Sequence, residues 1–287
     1  MNTKGSVPRC GAGTGEPTVA GPSETKGSIG LKVVKHNLGN FETLEILPLA
    51  DTHIGDIHSD FKKLREQLDW VMAAENRYVI LNGDLVDMAV RNSIGDIYSQ
   101  NLTPMQGLEQ CVKIFGPIAP RVLSVQPGNH ELRIWKTDGI DFTALLCSQL
   151  GIADRYSNAS TLIFVRFGRH YRKEHGRPVC YSIFCEHGSG GGRTEGAKIN
   201  RLVQMASIID ADIYIHSHTH TPLVTKNAYY RVSGSNSSVS KIERLFVNTG
   251  ATLEWGGYGE LQGFKPNSLD TPIIHLDGRR RYMTATL

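Results

Sequence analysis

Short apolar runs recur along the chain, and polar residues follow each of them directly. Five runs have the length and composition of buried β-strands: residues 46–50, 78–81, 122–125, 181–185 and 213–215. Apolar positions with helical spacing lie over residues 59–75, 104–115, 141–150 and 195–208. About the last sixty residues have a mostly β pattern. Strand-like runs that alternate with helical patterns predict an α/β fold.

The first thirty residues differ from the rest, because they are rich in glycine and proline and have no apolar periodicity. We expect residues 1–30 to be a disordered tail that catalysis does not need, and they lack the apolar core of a secretory signal. We expect residues 31–287 to form a single domain, since this length is ample for one buried core.

Charge and cysteine content exclude several classes of protein. The net charge of +3 is small, and the longest basic run is Arg279-Arg280-Arg281, so charge does not indicate a nucleic-acid partner. Five cysteines without Cys-x-x-Cys spacing favour a reducing compartment over a disulfide framework. No apolar stretch is long enough to span a membrane. We therefore expect a cytoplasmic protein with no membrane partner, and the oligomeric state stays open.

Side chains of the metal-ligating type follow the five strand-like runs. The motifs are Asp51-Thr52-His53, residues 83–87 (Gly-Asp-Leu-Val-Asp), residues 128–131 (Gly-Asn-His-Glu), Glu186-His187-Gly188 and residues 217–220 (Ser-His-Thr-His). Open α/β sheets place their ligand sites at strand ends, so we expect one shared metal centre. Imidazole, carboxylate and amide ligands accept Mn²⁺, Fe, Zn²⁺ or Ni²⁺, and we expect Mn²⁺.

This set of residues suits chemistry on phosphate esters. Two divalent ions bring about four positive charges, of which Asp51 and Asp84 neutralise about two, so the site attracts an anion. Two ions about 3.5 to 4 Å apart can hold a bridging hydroxide and clamp phosphoryl oxygens for in-line attack on phosphorus. The leaving alkoxide needs a proton, which His130 is placed to donate while Asp87 stabilises the imidazolium.

The motifs resemble the signature of the calcineurin-like metallophosphoesterase superfamily: Asp-x-His, Gly-Asp-x-x-Asp, Gly-Asn-His-Asp/Glu, a later lone histidine and Gly-His-x-His. The resemblance spans Asp51 to His220 and implies a four-layer α/β fold, with two packed mixed β-sheets flanked by α-helices. It also implies two metal sites that share Asp84: one with Asp51, His53 and His220, the other with Asn129, His187 and His218. His130 would lie beside the metals without binding them, and Asp87 would orient it.

Departures from the signature narrow the choice among branches of the superfamily. Ser217 replaces a glycine of the family, which affects the turn but removes no ligand. Protein serine/threonine phosphatases carry Asp-x-His-Gly and an Asp-Arg-Gly sequence, where this chain has Ile54 and Met88-Ala89. We therefore do not expect a protein phosphatase. The DNA-repair nuclease branch usually adds a capping domain, for which the residues after His220 are few.

Two further histidines compete for the ligand positions. Asp56-Ile57-His58 repeats the Asp-x-His pattern, but His58 stands beside Ser59 and Asp60, which are typical helix caps, so we do not expect it to bind metal. His216 alternates with His218 and His220, and by spacing alone either neighbouring pair could ligate. The resemblance favours the later pair and leaves His216 as a packed histidine.

Substrate-binding residues are less clearly marked. The glycine run after His187 ends at Arg193, and it is either a flexible connector or a loop whose amides and Arg193 bind a phosphate. Arg91 is a second candidate, although a solvated loop is the commoner role. Glu131 is expected to order the loop beside His130.

Three hypotheses for function follow. The first is a small phosphodiesterase or phosphatase that uses two divalent metals, and the second is a metal-dependent nuclease acting on DNA or RNA ends. The third is a metal-binding module without catalysis, which the presence of both His130 and Asp87 disfavours.

Overall fold

Two mixed β-sheets, packed face to face, form the centre of the fold. The computed structural model describes residues 31–89, 100–169, 177–190, 192–261 and 263–287. The first sheet has the order β1-β5-β6-β7-β9-β8. Its strands are β1 Lys32–Asn37, β5 Thr161–Phe167, β6 Val179–Cys185, β7 Ile213–His216, β8 Leu223–Ser233 and β9 Ser238–Asn248.

The second sheet has the order β11-β10-β2-β3-β4. Its strands are β2 Thr43–Leu49, β3 Arg77–Asn82, β4 Val122–Gln126, β10 Ile273–Asp277 and β11 Met283–Thr286. Strands β2, β3 and β4 run parallel, so their carboxyl ends share one edge, whereas β10 is antiparallel to β2. In the first sheet, β6 and β7 are also parallel.

Helices cover the outer faces of both sheets. They are α1 Phe61–Met72, α2 Pro104–Phe115, α3 Glu131–Asp138, α4 Phe142–Gln149, α5 Glu195–Gln204 and α6 Gly257–Leu261. The four helical patterns in the sequence correspond to α1, α2, α4 and α5, whereas α3 and α6 were not predicted. In the described part of the chain, no helix combines the length and the apolar character needed to cross a bilayer.

Apolar side chains fill three interfaces between the layers. Between the sheets, Ile46 and Ile80 pack in one cluster with Ile183 and Ile213. Outside the second sheet, Leu64 of α1 and Phe115 of α2 pack in another cluster with Leu81.

A smaller cluster joins Leu202 of α5 to Tyr214 on the outer face of the first sheet. The central strands, such as β3, β4 and β7, are therefore buried on both faces, which explains their continuous apolar runs. The prediction of two packed mixed sheets flanked by helices is confirmed.

Local capping sets where the helix after the first motif begins. The carboxylate of Asp60 accepts a hydrogen bond from the backbone N–H of Lys63 at 2.9 Å, so α1 begins at Phe61. This confirms the cap that the sequence placed at residues 59–60. Residues 1–30 and Arg91 lie outside the described residues, so the disordered tail and the substrate role of Arg91 stay predictions.

Candidate metal centre

The loops that follow β2, β3, β4, β6 and β7 converge at one edge of the two sheets. Backbone and side-chain hydrogen bonds tie them together: the N–H of His53 donates to the carbonyl of Asp84 at 3.1 Å, and the N–H of His218 donates to Asp51 Oδ2 at 3.1 Å. The N–H of His130 donates to Asp84 Oδ1 at 2.8 Å. Residues more than a hundred positions apart in the chain therefore meet at a single site.

One group of potential metal ligands consists of Asp51, His53 and His220. Their ligand atoms all lie within 4.8 Å of one another. His220 Nε2 is 3.2 Å from Asp51 Oδ1 and 3.3 Å from His53 Nε2. Two imidazoles and a carboxylate that point at a common centre form a donor set suited to a divalent transition metal.

A second group consists of Asp84, His187 and His218, also with ligand atoms within 4.8 Å. His187 Nε2 is 3.2 Å from Asp84 Oδ2, while its Nδ1 donates to the carbonyl oxygen of Asn82 at 2.8 Å. A backbone acceptor on one ring nitrogen fixes the tautomer and turns the other nitrogen toward the site, as is usual for metal-bound histidines.

Several buried polar atoms at this edge have no hydrogen-bond partner among the described residues. They include Asp51 Oδ1, Asn129 Oδ1 and His187 Nε2; the first and last have an ionisable neighbour at 3.2 Å but make no hydrogen bond with it. An unpartnered buried acceptor costs about 1–3 kcal/mol, so such atoms are rare unless something else satisfies them. All three belong to residues that the sequence assigned to metals, and divalent cations fit this donor set.

The backbone is strained at the same residues. Among the described residues other than glycine, Asp51, His53, Asp84, His218 and His220 have φ between 43° and 69°, and Ser237 is the one other such residue. Each left-handed non-glycine residue costs on the order of 1–3 kcal/mol and typically marks a functional site. The strain therefore coincides with the predicted ligands.

Glycines make room where two of the loops touch. A Cβ atom added to Gly128 would lie 2.1 Å from Asp84 Oδ1. One added to Gly83, whose φ is +85°, would lie 2.5 Å from the backbone nitrogen of Gly128 and 2.7 Å from His187 Nδ1. These two positions need glycine because the loops after β3 and β4 are in contact there.

Charge in the two groups suits cation binding. Burial raises the pKa of Asp51, but the neighbouring histidines, chiefly His220, outweigh this effect, so the pKa is lowered overall. Burial lowers the pKa of His53 to about 3 and that of His218 to about 4, so both rings are neutral at pH 7.

For His187, burial lowers the pKa but Asp84 outweighs it, raising the pKa to about 10. A metal ion would therefore replace a proton between His187 and Asp84.

His130 is held by its partners on both ring nitrogens. Nδ1 lies 2.6 Å from Asp87 Oδ1, and Nε2 lies 2.9 Å from Nη2 of Arg133. Nε2 is also 3.9 Å from Asp84 Oδ2. His53, Asp84 and His130 therefore form a third group whose potential ligand atoms lie within 4.8 Å of one another. Asp87 and Arg133 engage its two nitrogens, and the role of His130 beside the metals, which the resemblance implied, stays a prediction.

Glu131 organises the loops after β3 and β4. Its buried carboxylate accepts hydrogen bonds from the backbone N–H groups of Gly128 at 2.7 Å, Asp84 at 3.0 Å, Leu85 at 2.7 Å and Val86 at 3.2 Å. One carboxylate therefore joins the two loops that supply Asp84, Asn129 and His130. Burial and then Asp84 raise the pKa of Glu131.

Sequence reasoning missed Asn82 and Arg133. The side-chain amide of Asn82 donates to the carbonyl of Glu186 at 2.9 Å and to Ser217 Oγ at 2.6 Å. It thereby links the loops after β3, β6 and β7. The signal was an amide at the end of an apolar run. For Arg133, the signal was its position one helical turn after His130.

Ser217 needs no glycine-specific conformation, since it is absent from the described residues with positive φ. It is buried, and its N–H donates to the carbonyl of His187 at 3.0 Å. The departure from the family's glycine therefore leaves the turn intact.

The competing histidines lie outside both ligand groups. His216 Nδ1 is 2.9 Å from Asn248 Oδ1, and the ring is buried against Gly188. His58 Nδ1 is 3.1 Å from Asp56 Oδ1, in a turn that packs against Gly256.

Arg193 is exposed just before α5. Its guanidinium carbon lies 5.4 Å from the centre of the Phe264 ring. The helix begins after Thr194, as the sequence predicted. Binding of substrate by Arg193 stays a prediction.

One family model and several solved structures are similar to this chain. A sequence model described as calcineurin-like phosphoesterase matches residues 52–222. No curated protein matches the chain significantly. Solved structures that resemble it include a conserved uncharacterized protein of Streptococcus pneumoniae, described as a predicted phosphoesterase, with 15% identity and a TM-score of 0.35 over 86% of this chain and 98% of that one. Wild-type Vps29 of Entamoeba histolytica complexed with zinc has 13% identity and a TM-score of 0.36 over 85% of this chain and 97% of that one.

Proposed function

The chain belongs to the calcineurin-like phosphoesterase family, and we propose that it hydrolyses a phosphate ester with two divalent metal ions. One ion would be held by Asp51, His53, Asp84 and His220, and the other by Asp84, Asn129, His187 and His218. The observation that carries the proposal is the convergence of these groups with unpartnered, buried ligand atoms. Unsatisfied buried polar atoms are uncommon in native proteins, and a bound cation would satisfy these.

Metal ions bound here would offer positive charge to phosphoryl oxygens and lower the pKa of a water molecule toward neutrality. The chain itself supplies the proton for the leaving oxygen. Asp87 holds Nδ1 of His130 at 2.6 Å, so Nε2 is the nitrogen that faces the site. Burial lowers the pKa of His130, but Asp84 and the hydrogen bond that His130 donates to Asp87 outweigh this effect, so the pKa is raised. His130 would therefore carry the proton that the leaving group requires.

The substrate we propose is a small phosphodiester or phosphate monoester, with Mn²⁺ as the metal. The small net charge of +3 offers little attraction for a polynucleotide backbone, so a nuclease is the less favoured alternative.

The test is hydrolysis of bis-p-nitrophenyl phosphate and p-nitrophenyl phosphate by metal-stripped protein, with Mn²⁺, Ni²⁺, Zn²⁺ or Mg²⁺ added back. We expect metal-dependent hydrolysis of at least one substrate, and the preferred ester identifies the substrate class. Absence of hydrolysis from protein that binds two metals per chain would refute the proposal.

The chain contains its own matched control, since Asp56-Ile57-His58 repeats the Asp51-Thr52-His53 pattern outside the ligand groups. His53→Asn should remove metal-dependent hydrolysis, whereas His58→Asn should retain it. Equal losses in both variants would contradict the assignment of His53.

A further inference from the structure

Arg133 lies on the side of His130 that a substrate would approach. Its Nη2 lies 2.9 Å from His130 Nε2, and its Nη1 donates to the carbonyl of Met88 at 3.4 Å. The side chain is 21% exposed, so the guanidinium is in contact with both the site and solvent. It lies in the first turn of α3, which begins directly after the Gly-Asn-His loop.

The atom that Arg133 contacts is the one that the proposed function gives to the leaving group. His130 Nδ1 is engaged by Asp87, so the leaving oxygen must approach Nε2. A ring nitrogen makes a single hydrogen bond, and in this structure Arg133 is the hydrogen-bond partner of Nε2. The guanidinium must therefore move aside when the leaving oxygen binds, and it remains next to that oxygen.

Contacts limit how far Arg133 can move. Nη1 is 3.7 Å from Asp87 Oδ1, and this is the ion pair that the structure shows for Arg133. Asp84, which we propose as the ligand shared by both metals, forms its ion pairs with His130 and His187. Arg133 thus contacts both Asp87 and Nε2 of His130, the nitrogen that the leaving oxygen would approach.

We propose that Arg133 binds an oxyanion carried by the leaving group of the substrate. This inference rests on the proposed function, in which His130 protonates the leaving oxygen. A guanidinium forms paired hydrogen bonds with carboxylate or phosphate oxygens, and beside the leaving oxygen it selects substrates whose leaving group bears such an anion. The substrate class is therefore a phosphate ester or anhydride with a second anionic group on the departing side.

The test compares two substrates that differ in this anion alone, phenyl phosphate and 3-carboxyphenyl phosphate, or the matching diesters if diesters are preferred. Arg133→Met should lower kcat/KM for the carboxylated substrate about 10- to 100-fold more than for the phenyl substrate, as expected for one lost charge-assisted interaction. Arg133→Lys should recover part of the difference, because it keeps the charge but not the paired donors.

Arg231→Met is the matched control and should leave the ratio between substrates unchanged. Arg231 lies on β8 and forms an ion pair with Asp210. Unfolding midpoints of all variants show whether the fold is retained. Equal losses on both substrates in Arg133→Met would overturn the inference while leaving the proposed function intact. No hydrolysis of either substrate, or of the p-nitrophenyl esters, by the unmodified protein would overturn both.

Discussion

His130 Nδ1 and Asp87 Oδ1 lie 2.6 Å apart, although 43 positions separate these residues in the chain. The carboxylate accepts a hydrogen bond from Nδ1–H, and it thereby directs Nε2 toward the site. Asp87 itself follows β3 and His130 follows β4, so the pairing of these parallel strands sets the distance. The pairing of β3 and β4 thus helps to orient the ring that we propose as the proton donor.

His130→Ala should lower kcat about 10²- to 10⁴-fold, the usual range for a lost general acid. Bound metal should stay at the level of the unmodified protein, because Asp51, Asp84 and the remaining histidines are retained. Steady-state kinetics and metal analysis of the same samples test both statements. Loss of metal in proportion to activity would show instead that His130 is a ligand.

Asp84→Asn should remove metal from both groups, because we propose that this carboxylate bridges the two ions. Adding Mn²⁺ to the stripped, unmodified protein should raise its thermal unfolding midpoint, as any ligand of the native state does. In the variant this increase should largely disappear. A variant with normal metal content and full activity would contradict the assignment of Asp84 as a ligand of two metals.

Glu131→Gln should destabilise the fold by about 2–5 kcal/mol, since a carboxylate that accepts four backbone N–H groups is replaced by an amide with one acceptor oxygen. Urea unfolding measures the change in the free energy of unfolding. Glu109→Gln, on the exposed side of α2, is the control and should change it by less than about 0.5 kcal/mol. Similar values for both variants would contradict the role of Glu131.

His36 on β1 should make stability depend on pH. Its Nε2 donates to the carbonyl of Leu123 at 2.8 Å, and burial lowers the pKa of the ring below 6.5 despite that bond. Because the folded-state pKa is below the unfolded value, the stability that the neutral ring contributes is present above pH 6.5 and is lost as pH falls through the folded-state value.

Between about pH 7 and pH 5, the free energy of unfolding should thus fall more steeply in the unmodified protein than in His36→Gln, whose side chain donates a hydrogen bond without titrating. Parallel pH profiles would rule this out.

Gly128→Ala should impair metal binding, because its Cβ would lie 2.1 Å from Asp84 Oδ1. Gly196→Ala in α5 is the matched control, with no atom within 4 Å of the added Cβ. It should stabilise the fold by about 0.5–1 kcal/mol through helix propensity. Metal titrations of both variants measure the effect, and equal affinities would contradict the steric argument.

Much of the sheet structure was predictable, because strands buried on both faces leave continuous apolar runs such as residues 78–81. Helix α3 was not predicted, since within it only Glu131 and Ile134 are buried, and two buried positions give a weak periodic signal. The Gly139 cap, with φ of 69°, was the available signal for its end. Strand β1 is half exposed at the sheet edge and has no apolar run.

The ligand types could be proposed from motif spacing, but their supporting contacts could not. Asn82 reaches Ser217 across 135 positions, and no local pattern encodes such a pair. Arg133 was overlooked for a different reason: an arginine on a short helix usually points to solvent, and only the packed structure shows it against His130.

Five proposed metal ligands have left-handed backbone, so the residues that activity needs also lower the stability of the fold: Asp51, His53, Asp84, His218 and His220. Glycine at any of these positions would relieve backbone strain, and at Asp51 it would also remove a buried oxygen without a hydrogen-bond partner. A laboratory selection for heat resistance in metal-free medium would therefore favour replacing these residues, whereas selection with metal present would retain them. Metal availability during selection would decide which residues survive.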